Sequence, residues 1–180
     1  MRIMEWFNEP ASWSASGSDL VVTADPDTDF WRTTHYGFVR DTGHVYGRWV
    51  SGDCVVRASF SAAYAAQFDQ AGVALRIDAS NWIKAGVELV DGVFQVSTVV
   101  TREVSDWSVV PVASADLVTI SAERVGDTVT VRYGLDGGSP DIMLRLAYFP
   151  HAVPALVGVM CAAPTGPGFS ASFSGVSVIE

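Results

Sequence analysis

The pair Asp91-Gly92, set between runs in which apolar and polar residues alternate, constrains this chain more than any other feature. A two-residue type I′ hairpin turn selects Asp-Gly because both central residues need positive φ. A turn at this point pairs Leu89 with Phe94, Val87 with Val96, Ala85 with Thr98 and Ile83 with Val100 on one face. The other face pairs Glu88 with Gln95, Gly86 with Ser97, Lys84 with Val99 and Trp82 with Thr101. Turn chemistry and alternation are independent signals, and both demand this register. A slip of one residue would send Lys84 and Glu88 into the core.

The same period of two, broken by Gly, Asp, Asn and Pro, recurs from end to end, and no window of helical length carries an apolar stripe of period 3.6. Strands are expected over roughly 19–24, 44–50, 53–62, 69–78, 82–90, 93–101, 105–110, 117–125, 128–135, 144–149, 156–163 and 168–179. The connections are too short for crossover helices, so neighbours pair antiparallel. A second hairpin turns at Gly126-Asp127, with Val118, Ile120, Ala122, Val129, Val131 and Tyr133 on one side. Thr119, Ser121, Glu123, Thr128, Thr130 and Arg132 take the other. Near the C-terminus the parity changes between Phe173 and Val176, which predicts a bulge at Gly175. The fold class expected is all-β, a sandwich of two antiparallel sheets forming one domain over residues 1–180.

Charge narrows the partners. Eleven Lys and Arg stand against twenty Asp and Glu, a net charge of −9. That surplus repels phosphate backbones and anionic lipid, so neither nucleic acid nor a membrane is an expected partner. No apolar run reaches the roughly 18 residues of a bilayer span. The first ten residues lack the apolar stretch and small-residue cleavage site of a secretory leader. The two cysteines, Cys54 and Cys161, sit in apolar strand-like stretches and read as buried free thiols. The expectation is a soluble, cytoplasmic protein.

Before the first hairpin, Ala71, Val73, Leu75 and Ile77 alternate with Gln70, Gly72, Ala74 and Arg76. If Ala79-Ser80-Asn81 forms a three-residue loop, Arg76 lies close to Lys84 on the face that also holds Glu88. Three strands then share a polar face bearing Gln70, Arg76, Trp82, Lys84, Glu88, Gln95, Ser97 and Thr101. Gly72, Ala74 and Gly86 leave space over its middle. A glycine-floored face rimmed by charges and tryptophan predicts an open groove. Plain wetted faces carry Thr and Lys, as the second hairpin does.

The densest polar and aromatic stretch runs from Asp27 to Trp49 and holds Trp31, His35 and His44. So many polar groups in an apolar setting are either mutually satisfied or used. One reading has Asp29, His35 and Asp41 bonding the backbone of a long ordered loop. The other brings His35 and His44 to the groove as proton carriers or donors, which with Glu88 makes three candidate catalytic residues. Trp31 and Trp107, in polar surroundings, join Trp82 as flat surfaces for a sugar ring. Asp106 completes the candidate ligand set of Trp31, Arg76, Trp82, Lys84, Glu88, Gln95, Asp106 and Trp107. Trp13 and Trp49 read as packing residues.

Enzyme signatures are sparse. Gly86 and Val90 flank Glu88 at two-residue spacing, so the alternating carboxylates of a Glu-x-Asp-x-Glu glucanase strand are missing. Asp69 and Asp106 could approach Glu88 across strands, although Asp69 has core parity. No nucleophile elbow or dinucleotide loop is present, and the histidine spacing matches no strong metal signature. No metal and no cofactor are expected, and catalysis is left open.

Several dispersed motifs carry a family resemblance: Thr28-Asp29-Phe30-Trp31, Thr34-His35-Tyr36-Gly37, Asp41-Thr42-Gly43-His44, Asp69-Gln70-Ala71-Gly72, the run from Asn81 to Glu88, and Ser105-Asp106-Trp107-Ser108. In their order they resemble the "regulation of enolase protein" family, a domain of unknown function in the concanavalin A-like lectin/glucanase superfamily. The resemblance covers nearly the whole chain. It implies a jelly-roll sandwich in which relatives bind glycans on the concave sheet. The expected function is therefore binding of a carbohydrate or sugar-like metabolite in the polar groove. An enzyme acting on a sugar or sugar-derived acid through Glu88, His35 or His44 is the alternative, and a protein–protein module is the third.

Overall fold

The computed structural model describes residues 3–180; Met1 and Arg2, which the expected domain 1–180 takes in, lie outside it. Five strands open the chain: β1 (Glu5–Phe7), β2 (Ser12–Ser16), β3 (Asp19–Ala24), β4 (Phe30–Arg32) and β5 (Val39–Asp41). Next come β6 (His44–Val50), β7 (Cys54–Ala62), β8 (Gln70–Asp78), β9 (Asn81–Val90), β10 (Val93–Arg102) and β11 (Val104–Val112). The chain ends with β12 (Val118–Val125), β13 (Thr128–Gly134), β14 (Ile142–Tyr148), β15 (Ala155–Ala162) and β16 (Phe169–Ile179).

Two seven-stranded antiparallel sheets form the jelly-roll sandwich, ordered β1-β6-β15-β8-β9-β10-β11 and β14-β13-β12-β7-β16-β3-β2. Between them lies one apolar core, in which Leu75, Ile83, Val87, Val96 and Val157 of the first sheet meet Val22, Phe60, Ile120, Val131 and Phe173 of the second. Both hairpins take the register read from their turns. Leu89 pairs with Phe94 and Lys84 with Val99, and Asp91 and Gly92 both have positive φ. Ile120 opposes Tyr133 and Ala122 opposes Val131. Gly175 has φ +60°, at the point where the β16 register shifts between Ser174 and Ser177.

Three expectations need correction. The β8–β9 connection is a two-residue turn with Ile77 as an extra bulged residue, because Asp78 pairs with Asn81 and Arg76 with Trp82. Arg76 keeps its face but sits opposite Trp82, and Ala74 opposes Lys84. Trp49 is not a packing residue: it is 44% exposed, with its indole N–H donated to Glu5 Oε1 at 2.7 Å. The short strands β1, β2, β4 and β5 fall outside the predicted set. Three or five residues are too few to display a period, and their pairing comes from distant segments.

Cys54 and Cys161 are both buried and unbonded to each other. Burial pushes both thiols above their ordinary range. At the centre of the first sheet Gly72 pairs directly with Gly86. A Cβ on Gly72 would come within 2.0 Å of the Ala85 carbonyl oxygen, so the backbone itself forms the floor there.

Candidate functional site

The polar face of β8, β9 and β10 is not an open groove. A roof built from residues 25–43 covers most of it. Thr28 ties the start of this roof to the end of β15, its Oγ1 accepting the Ala163 N–H at 2.8 Å. Asp29 accepts the Phe30 N–H at 2.8 Å, and its carbonyl takes the N–H groups of Thr42 and Gly43. Between these points β4 and β5 pair as a small hairpin, Trp31 opposite Arg40. Its tip needs positive φ at Thr33, His35 and Gly37. Arg32 fastens the roof to the far edge of the sheet, its backbone N–H donating to Ser105 Oγ at 2.8 Å and its Nε to the Glu103 carbonyl at 2.9 Å.

The roof seals by apolar packing. Phe30 and Trp31 form a second buried cluster with Trp82, Ala74, Val99, Leu156, Met160 and Val45. Trp82 is therefore a packing residue, 2% exposed, with Phe30 5.7 Å away. Arg76 is an anchor: it pairs with Asp41 at 2.6 Å and lies 3.7 Å over the Phe7 ring.

Under this roof lies a buried ionic floor. Lys84 is 4% exposed and Glu88 5% exposed. The Lys84 ammonium donates to the Phe30 carbonyl at 2.9 Å and to Gln70 Oε1, and stands 3.7 Å from both Asp29 Oδ1 and Glu88 Oε1. One lysine thus bonds the roof and neutralises charge on the floor. Burial raises the Glu88 carboxyl above the usual carboxylate range; Lys84 opposes the rise, Asp29 adds to it, and Ser97 and Trp107 favour the ionised form. Glu88 Oε2 and the Trp107 indole N–H are both buried, and neither completes a hydrogen bond of full geometry, although Trp107 lies near enough to favour the ionised carboxyl.

Where the roof stops short of the sheet, a cavity of about 180 Å³ remains. Gln70, Lys84 and Glu88 make its polar floor, with Asp29 beside them; Trp31, Tyr36, Phe38, Phe68 and Trp107 are its aromatic walls; Arg40, Pro164 and Thr165 complete the lining. Of the expected ligand set the structure brings Trp31, Lys84, Glu88 and Trp107 together. It leaves Arg76, Trp82, Gln95 and Asp106 outside the lining. Gln95 is part-buried with Oε1 unpartnered, and Asp106 is an exposed partner of Arg145 at 3.5 Å.

Neither histidine lines the cavity. His44 is 2% exposed and structural: its Nε2 accepts the Asp25 N–H at 3.0 Å and its Nδ1 donates to the Asn8 carbonyl at 2.6 Å. His35 is exposed at the roof tip, edge-on to Tyr36. Asp69 does not approach Glu88 as a partner; its Oδ2 caps the N–H groups of Ala65 and Ala66, each at 2.9 Å. Among the described residues no three His, Cys, Asp or Glu side chains converge as a metal would require.

Phe68, Tyr36, Phe38 and Arg40 went unread as site residues. Phe68 lies in a connection rather than a strand, so no periodicity marks it. The available signal was its place directly before Asp69-Gln70; its φ of +68° appears only in the structure.

Comparison with known proteins agrees with this architecture. Residues 6–180 match a family described as protein of unknown function (DUF1349). The chain is 34% identical over 175 residues to Regulation of enolase protein 1 of Saccharomyces cerevisiae, covering 94% of this chain and 85% of that one. It superimposes on the crystal structure of a functionally unknown protein from Saccharomyces cerevisiae with TM-score 0.92 and 32% identity, over 97% of this chain and 95% of that one. More distant structures share the fold alone. A xylan β-1,4-xylosidase from Bacillus halodurans matches at TM-score 0.71 and 13% identity, over 98% of this chain but only 39% of that one. The carbohydrate-binding module CBM66 from Bacillus subtilis matches at TM-score 0.53 and 14% identity, over 89% of this chain and 95% of that one. By a match that runs almost its whole length, this chain belongs to the DUF1349 family, the family of the yeast regulation of enolase protein.

Proposed function

We propose that this chain is a binding domain for a carbohydrate or sugar-like metabolite, held in the cavity between the roof and the first sheet. The observation that carries the reading is the pairing of a buried polar floor, Gln70, Lys84 and Glu88, with aromatic walls in one cavity. Binding sites combine mostly apolar lining with a few fixed polar groups. Sugar-like compounds offer the match, apolar C–H faces toward rings such as Trp31 and Trp107 and hydroxyls toward the floor. The volume suits a compact ligand of about one ring. Structural likeness to a carbohydrate-binding module and a xylosidase supports the reading at the level of fold. A cytoplasmic setting belongs to the same proposal, supported by two unbonded thiols.

Calorimetric titration with a library of monosaccharides and sugar acids tests it. A ligand should bind the wild type and bind Trp107→Ala at least tenfold more weakly, with the variant's melting curve intact. Free ligand at a hundred times its Kd should stabilise the protein by about 2.7 kcal/mol. If no compound of the library binds, or if Trp107→Ala binds unchanged, the reading is wrong.

One observation favours a second reading. Glu88 is a buried carboxyl with raised proton affinity beside the cavity, the state of a group poised as a general acid. Turnover of a bound sugar, lost in Glu88→Gln with binding retained, would establish it.

A further inference from the structure

We propose that the ligand of this cavity carries a compact organic ammonium group, enclosed by four aromatic rings beside Glu88; the inference rests on the cavity being the ligand site. Trp31, Trp107, Phe68 and Tyr36 close a circuit of edge-to-face neighbours. Trp31 stands 6.3 Å and 83° from Trp107, Trp107 6.4 Å and 72° from Phe68, Phe68 6.4 Å and 74° from Tyr36, and Tyr36 5.5 Å and 76° from Trp31. Among the described residues no ring contact joins the opposite members, so the four do not collapse on one another, and all four line the cavity. If the four centroids form a square of that edge, its centre would lie about 4.4 Å from each, inside the roughly 6 Å over which a ring face attracts a cation. Sugar rings are ordinarily received on one or two flat faces. Four rings, each steep to its two neighbours, suit a rounded group better than a flat one.

Charge points the same way. Asp29 and Glu88 line the interior against one buried cation, Lys84, whose ammonium is already bonded to the Phe30 carbonyl and to Gln70. Arg40, the other cation of the lining, is exposed at the rim over Phe38. The enclosed part therefore holds two carboxyl groups to one ammonium. Glu88 Oε2 is buried and completes no hydrogen bond of full geometry, so the ionised form of Glu88 would gain from a counter-charge on that side. A second cation among the rings would supply it, and the net charge of −9 favours encounter with cations. Joined to the sugar-like reading, the ligand class is an aminated sugar or polyol.

Two pairs of probes test this, each matched in shape and differing by one charge: choline against 3,3-dimethylbutan-1-ol, and glucosamine against glucose, all at neutral pH, so that acid does not protonate Glu88. Calorimetry should show the cationic member of each pair binding at least tenfold tighter. Glu88→Gln and Phe68→Leu should erase that preference, while Asp106→Asn, outside the cavity, keeps it. Melting curves of each variant separate loss of binding from loss of fold. Equal binding within both pairs overturns the ammonium inference and leaves the sugar reading standing. Binding of choline without its neutral isostere, with no sugar of the wider library bound, supports the ammonium inference and defeats the sugar reading. If none of the four binds, the ammonium inference is wrong, and the sugar reading is decided by the wider library.

Discussion

Two hairpins of this sandwich begin from the same pattern and end in different surroundings. On the outer side of β12–β13, Glu123 and Arg132 are exposed, Ser121, Thr128 and Thr130 are part-buried, and Thr119, bonded to Ser59, is buried. On the outer side of β9–β10, Lys84, Gly86, Glu88, Ser97 and Thr101 are all buried. Alternation is equally clean in both. The difference is the roof from residues 25–43, which closes over one sheet and not the other. A polar face is therefore wet or dry by virtue of what another part of the chain does. On the roofed side each polar group is energetically consequential, because desolvation penalises any group left unpaired.

Tryptophan substitutions should separate the two environments most strongly. Trp82→Ala empties the centre of the roof cluster and should cost about 4 kcal/mol in urea unfolding. Trp49→Ala, on an exposed tryptophan, should cost under about 1 kcal/mol. Equal losses would mean that the roof does not pack as described.

Charge deletion comes next. Lys84→Met leaves Asp29 and Glu88 without their shared cation and should cost about 3 kcal/mol. Arg132→Met, on the open face, should stay within about 0.5 kcal/mol of wild type. The exposed-groove expectation would have made both harmless, so chemical denaturation of this pair decides between an open face and a roofed one.

The smallest effect is the most specific in sign. Glu88 has a higher proton affinity folded than unfolded. Its contribution to stability is therefore fully present below the ordinary carboxylate range and is lost as pH rises through the raised folded value. Glu88→Gln removes that dependence. Its melting temperature relative to wild type should climb from acidic to neutral pH, with the variant at least as stable at neutral pH. A relative melting temperature that falls with rising pH would show that Lys84 outweighs desolvation at this carboxyl.

The strands and their faces were legible because each rests on local signals. Asp91-Gly92 sets a turn, the turn sets a register, and the register places Trp82, Lys84 and Glu88 on one face whatever surrounds them. The bulge at Gly175 followed from a parity change that no straight strand could carry. Trp31 and Trp107 stood out because large aromatics in polar runs need an explanation, and both reached the cavity. The roles of His44, Arg76 and Trp82 were misread for a single reason. Each looked functional beside its sequence neighbours, and each is satisfied by a distant partner: Asn8 and Asp25, Asp41, and Phe30.

What the sequence determined by itself is the pleated part of the molecule, which residues form strands and which side of each strand is apolar, because a period of two and a turn type are properties of consecutive residues. The tertiary structure alone decided that residues 25–43 lie across the polar side of the first sheet, and with that which polar groups are dry and where the cavity opens. The roof is held by Phe30 packing on Trp82, Arg32 reaching Ser105 and Glu103, and Thr28 bonded to Ala163, contacts between residues far apart in the chain. Contacts of that separation leave no periodic trace, because they depend on three-dimensional complementarity that forms only once both sheets are in place.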